Sequence, residues 1–461
     1  MPGLDDEFIS QPLGVLYLGA ILERAGLAVK CMDERTFSEE EIRAGIAEAD
    51  VVGISVMTPF VQRGYDRARY AKEQGKTVWI GGPHATVDPQ STLETGLFDL
   101  VFVREAEITI QEVLPVMDDK EKLKEIPGLL FYDDSGEKCL TPERPFTLEL
   151  DPLPFPARHL LPMERYFSRN KERLLYVYTS RGCPYQCVFC QKEVYGRKFR
   201  ARTVNNVCDE LEQVQRDYRP GAILFIDELF TCSKKRVFEF CDTLIARDIR
   251  LNWCCETRVD RIDFNMMMAM RRAGMRRIYF GVETGSPRSL KTLNKMFTRE
   301  KIIETLKAAR RANLWTKVFL IVGTPEETME DFELTASMLR EGHPDMVRTA
   351  LFNPLIGSPS FEKYGDRIDF DLIFKEYVAS SGTPYMHENF TNEELCEIER
   401  NLVSDYNEWY GRPAQRFKRW LARMRFYLRY PGHALARLQE KLGPGVDDST
   451  LARGGSAVDG G

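Results

Sequence analysis

A chain of 461 residues is longer than one hydrophobic core usually serves, so two or three domains are expected. Its 43% hydrophobic and 29% charged residues are ordinary for a globular protein, and a net charge of -6 excludes bulk attraction to nucleic acid or anionic lipid, leaving only local basic patches. No apolar run reaches the roughly 18 residues of a membrane span, and MPGLDDEFIS is acidic where a secretory signal would be basic and then apolar, so a cytoplasmic location is expected.

The chain opens on an apolar-periodic helix, PLGVLYLGAILERAG, ending at Gly26, then a short strand to Asp33 and a helix opened by the capping pair Ser38 and Glu41. Strand Val51 to Val56, a helix closing at Gly75, strand Thr77 to Ile80, the loop Gly81 to His84 and strand Leu100 to Val103 continue the alternation. This pattern predicts a doubly wound, Rossmann-like α/β domain over 1–145. Proline-rich LDPLPFPARHLLP predicts a connection over 146–165. Six further strands follow: LLYVYT, AILFID, NWCCET, RIYFGVE, KVFLIVG and MVRTALF, each trailed by a helix or turn. They predict an incomplete (β/α)6 TIM-like barrel over 166–365, whose functional residues should sit at the C-terminal strand ends. A helical region over 366–445 and a disordered Gly- and Ser-containing tail over 446–461 complete the expected plan.

Eleven cysteines in such a chain read as reduced thiols and metal ligands rather than disulfides. Cys183, Cys187 and Cys190 lie within eight residues, just after a strand. A [4Fe–4S] cube takes four thiolates, so a compact set of three leaves one iron open to another ligand. A structural zinc site is the competing reading, but such sites usually pair two hooks and no second hook lies nearby. Cys31, Cys208, Cys232, Cys241, Cys254 and Cys255 read as small core residues.

The segment SRGCPYQCVFC resembles the signature of the radical S-adenosylmethionine (SAM) superfamily, Cys-x3-Cys-x2-Cys with an aromatic residue, here Phe189, before the last cysteine. LFIDELF, IYFGVETGS, FLIVGTPEET and PLIGSP follow in the order expected of the branch with an N-terminal cobalamin-binding domain, and PLGVLYLGAILERAG, DVVGISVMTP and GGPHATVDP resemble that domain. The resemblance implies that the three cysteines hold a [4Fe–4S] cluster, that SAM chelates the open iron, and that an electron from an external donor such as flavodoxin or ferredoxin cleaves it to a 5′-deoxyadenosyl radical. It implies polar contacts to SAM from Asp227 and Glu228, a carboxylate partner in Arg258, and ribose contact at Glu283. Around Glu283, Gly281 and Gly285 permit close backbone approach, and the resemblance adds Ser286 to the SAM contacts and implies adenine packing at Gly323, in a turn where Glu326 replaces the usual glycine. A corrinoid face is implied at Thr58, Gly81, Gly82 and His84, with His84 more a loop residue than a cobalt ligand because the Asp-x-His-x-x-Gly signature is absent. Relatives normally start with one more strand before the PLG helix, so a first strand is expected to be missing here.

The implied reaction is methylation of an unactivated carbon in a small-molecule or lipid-like substrate. Cyclisation or oxidation without methyl transfer, and a non-catalytic Fe–S or zinc scaffold, are the alternatives. Near the C-terminus, Phe417, Trp420, Leu421, Met424, Tyr427 and Leu428 recur at helical spacing among Arg416, Lys418, Arg419, Arg423, Arg425 and Arg429. Most such helices face a core, which favours docking of the apolar stripe on the barrel. Peripheral membrane contact through 416–429 is the alternative, and nucleic acid is not expected.

Overall fold

The computed structural model describes residues 9–170, 172–373 and 382–432. The N-terminal sheet has five strands in sequence order: β1 Val51–Ser55, β2 Thr77–Gly81, β3 Leu100–Phe102, β4 Leu129–Tyr132 and β5 Lys138–Leu140. The first three are parallel, as the helix alternation requires; β4 and β5 add an antiparallel hairpin that the motif reading did not include. Helix Leu13–Arg24 packs Ile21 against Trp79, Phe102 and Ile110 on one face of this sheet.

Two local expectations are corrected. Leu27 to Asp33 forms no strand, because a strand exists only through a ladder and no described strand runs beside it. The same segment and the outer edge of β1 border a common cavity. The Gly81–His84 stretch is not an open loop: β2 ends at Gly81 and helix Gly82–Val87 begins at once, carrying His84 inward.

The second sheet follows in the order β13-β12-β11-β10-β9-β6, all parallel, with β6 Leu174–Val177, β9 Ala222–Phe225, β10 Trp253–Thr257, β11 Met275–Glu283, β12 Trp315–Val322 and β13 Met346–Leu351. These are the six expected strands in their expected order, and the curved sheet stays open between β6 and β13. A small pair, β7 Ser180–Arg181 and β8 Arg200–Ala201, clamps the two ends of the cysteine segment together. Helix Asn392–Gly411, started by a Thr391/Glu394 capping box, packs along the β12 and β13 edge. The expected tail over 446–461 lies outside the described residues.

Buried ion pairs join the N-terminal domain to the β7–β8 pair that flanks the cysteine segment. Arg181 bridges Glu105 at 3.0 Å and Glu107 at 2.5 Å, and Arg200 reaches Glu105 at 2.8 Å, all four side chains being buried. Charges so far from water are costly unless mutually satisfied, so this cluster sets how the N-terminal strand ends face the barrel mouth.

Candidate active site

The cysteine segment starts from a backbone position only glycine tolerates. Gly182 has φ +81, and a Cβ there would sit 2.3 Å from the Lys198 carbonyl oxygen. Cys183 and Cys187 are buried and Cys190 is half-buried. The segment is pinned by the Val188 N–H donating to Leu293 O and the Cys183 N–H to Gly196 O. Among the described residues no three His, Cys, Asp or Glu side chains converge as ligands of a single ion would. Thiolates serving separate irons of a cube need not converge on one point. Burial pushes the thiols of Cys183 and Cys190 up, and Lys192 beside both works against it. Tyr185 OH and Gln191 Nε2, both in this segment, are buried without a hydrogen-bond partner, as expected where a bound group completes the structure. Three soft donors, adjacent cations and these orphaned atoms fit a [4Fe–4S] cluster.

The barrel strand ends surround this segment, but several do so as supports. Asp227 is fully buried and accepts hydrogen bonds from the Thr179 N–H at 2.6 Å and from the hydroxyls of Thr179 and Ser180. It ties the β6–β7 turn and is not at the cavity wall. Glu228 is at that wall: it stands open to the cavity, accepts the Gly182 N–H at 3.1 Å, and crowding by protein pushes its carboxyl up to about 7. Arg258 spends its donors on Asp260, the Lys295 carbonyl and Cys187 Sγ at 3.6 Å, with its guanidinium 3.7 Å from the Tyr185 ring centre. It braces the cysteine segment.

Glu283 ends β11 at φ +69 and pairs with Lys295 at 2.9 Å, both buried. Lys295 lies in an irregular loop with no distinguishing sequence signal. Gly281 leaves room for that pair, since a Cβ would meet Glu283 Oε1 at 2.8 Å. Gly285 instead lets the Met329–Gly342 helix approach, and Ser286 caps the next helix and donates to Asp331. In the β12 turn, Gly323 and Thr324 both donate N–H bonds to Glu327 at 2.9 Å, and burial pushes the Glu327 carboxyl up to about 7. Gly323 also admits Leu395, whose Cδ1 would lie 2.9 Å from a Cβ. Thr324 Oγ1 is buried and unpartnered. Glu326 has φ +65, which explains a glycine at this position in similar turns.

In the N-terminal domain, Gly81 and Gly82 face the cavity. His84 does not: its Nδ1 meets Thr58 Oγ1 at 3.2 Å and its Nε2 meets Tyr65 OH at 3.1 Å, and burial lowers its pKa. With both ring nitrogens bonded to hydroxyls, it is held as a neutral core histidine together with Thr58. The cavity has a volume of about 4550 Å³ and runs from Met57, Gly81 and Arg104 past Lys192 and Glu228 to Tyr176, Tyr279 and Lys317 inside the barrel. That is several times a usual pocket of roughly 300–1,000 Å³, so it can hold more than one ligand.

Comparison with known proteins agrees with this layout. The Radical SAM superfamily model matches residues 177–339, and the B12 binding domain model matches residues 5–114. An uncharacterized methyltransferase of Pyrococcus horikoshii is 30% identical over 412 residues, covering 87% of this chain and 88% of the relative. This chain belongs to the radical SAM superfamily, in the branch with an N-terminal B12-binding domain. An anaerobic magnesium-protoporphyrin IX monomethyl ester cyclase of Rubrivivax gelatinosus is 28% identical over 414 residues, covering 87% of this chain and 73% of its own. The cobalamin-dependent SAM radical enzyme OxsB, solved with aqua-cobalamin and SAM bound, shares the fold at TM-score 0.71 and 18% identity, over 96% of this chain and 72% of that one. As a member of this superfamily, the protein is an enzyme.

Proposed function

We propose that this enzyme uses a [4Fe–4S] cluster held by Cys183, Cys187 and Cys190, with SAM and cobalamin in one cavity, to methylate a carbon of a small-molecule substrate. Bound there, the cluster and SAM supply a 5′-deoxyadenosyl radical and cobalamin supplies the methyl group. The observation that carries the proposal is the continuous cavity between the strand ends of the two domains, with Gln191 and Lys192, which directly follow Cys190, on its wall. The chain's own part is placement and exclusion of water. Glu228, poised near neutrality, offers an acceptor or donor to SAM's amino group from inside the cavity. Lys295 pairs with one oxygen of Glu283 at 2.9 Å and holds the carboxylate in place, leaving its second oxygen to accept ribose hydroxyls. Arg258 and Lys192 place positive charge beside the thiolates. Gly81 and Gly82 present a flat backbone surface suited to a corrin ring. The electron comes from an external flavodoxin or ferredoxin.

Protein reconstituted without oxygen, given SAM and a strong reductant, should release 5′-deoxyadenosine, and Cys187→Ala should abolish it. Methylation adds S-adenosylhomocysteine as a co-product. Its absence with any turned-over substrate would favour the second reading, cyclisation, which the similar cyclase supports. A scaffold with four protein ligands draws on one observation, the closeness of the half-buried Cys232 to Cys183. Cys232→Ala should leave iron content and SAM cleavage intact, whereas loss of the cluster in that variant would favour the scaffold.

A further inference from the structure

Helix Pro413–Arg429 is docked the opposite way round from the usual amphipathic helix. At about 100° per residue, Phe417, Trp420, Leu421, Met424 and Leu428 share one stripe. Four of the five face outward, Phe417 being 61% exposed, Trp420 55%, Met424 40% and Leu428 78%, while Leu421 is half-buried. The rings of Phe417 and Trp420 stack with centres 5.7 Å apart. The opposite face holds the protein. Phe426 is the buried residue of this helix, and Arg419 lies 3.7 Å from the Tyr410 ring centre and donates to Tyr410 O at 2.7 Å. The expected docking of the apolar stripe on the barrel is therefore corrected.

The charges frame the stripe. Arg416 and Arg423 flank one side, Lys418, Arg425 and Arg429 the other, and the helix contains no acidic residue, in a chain whose net charge is -6. We infer that this helix seats the enzyme on an anionic phospholipid surface, the stripe entering the interface and the five flanking cations meeting headgroup phosphates. A nucleic acid would answer the cations but leave the Met and Leu side chains in water. A second copy pairing through this face would bring two like-charged frames together. Arg416 and Arg423 also border the end of the cavity that opens at the N-terminal ends of the barrel strands, so the seated face adjoins a route into the barrel. Nothing in this inference depends on the reaction catalysed.

The test is co-flotation of the full-length protein with vesicles of phosphatidylcholine alone or mixed with phosphatidylglycerol. Binding is expected to the anionic vesicles only and to weaken with salt. Phe417→Ser with Leu428→Ser should weaken it about a hundredfold or more. Lys418→Gln with Arg425→Gln should weaken it about 25-fold, at roughly fivefold per cation. Both variants should keep the circular dichroism spectrum and SAM cleavage of the parent. No flotation, equal binding to neutral vesicles, or a concentration-dependent dimer that the Phe417 and Leu428 changes abolish would overturn the inference.

Discussion

The barrel and the N-terminal domain turn their strand ends to the same cavity but hold them by different means. At the barrel ends, buried charges do the holding: Asp227 on the β6–β7 turn, Arg258 on Cys187 and Asp260, Glu283 on Lys295, and Glu327 on two backbone N–H groups. The N-terminal wall sets the backbone of Gly81 and Gly82 among the side chains of Met57, Phe60 and Arg104, with neutral His84 behind it between two hydroxyls. The barrel ends are thus fixed by opposed charges, and the N-terminal wall by backbone and neutral groups.

The contrast can be broken at its seam first. Replacing Arg181 by Met leaves Glu105 and Glu107 buried with less compensation and should cost about 3–5 kcal/mol in denaturant unfolding. It should also loosen the N-terminal domain enough to lower cobalt retention. An effect under 1 kcal/mol would mean that the two halves are held together by other contacts.

Next in size is Glu327→Gln. A carboxyl raised to about 7 binds its proton more tightly when folded, so its stabilisation is complete below the ordinary value of 4.5 and lost as pH rises through about 7. The variant stays neutral and keeps an oxygen for both N–H groups. Its stability should match the parent's near pH 4.5 and exceed it at pH 8 by up to roughly 3 kcal/mol. Parallel curves would show that burial does not control this carboxyl.

Glu326→Gly should stabilise by about 1 kcal/mol, read as a raised melting temperature, because it relieves a left-handed backbone at a surface turn. The smallest effect belongs to His84→Gln, which should leave cobalt content unchanged while modestly lowering stability. A proportional loss of cobalt would assign His84 to the metal after all.

What sequence made legible followed from local rules. Six barrel strands were readable because parallel, doubly covered strands are continuous apolar runs, and the cysteine segment because its spacing is nearly unique. Partnerships were not. Lys295 sits twelve residues beyond Glu283 in a loop without periodicity, and the Glu105 and Glu107 link to Arg181 spans some seventy residues. Asp227, Ser286 and Arg258 were placed at the right strand ends, but whether such a side chain faces a ligand or ties a turn depends on neighbours no motif names. Residues 27–33 failed as a strand for a related reason, since β structure is a property of pairs.

The most direct test of the account is cobalt and iron content together, in protein purified without oxygen from cobalamin-replete cells. The account predicts about four iron atoms and one cobalt per chain, with the cobalt surviving Cys187→Ala, whose cluster is lost. Full iron with no cobalt would contradict the shared cavity and leave a radical enzyme that works without a corrinoid.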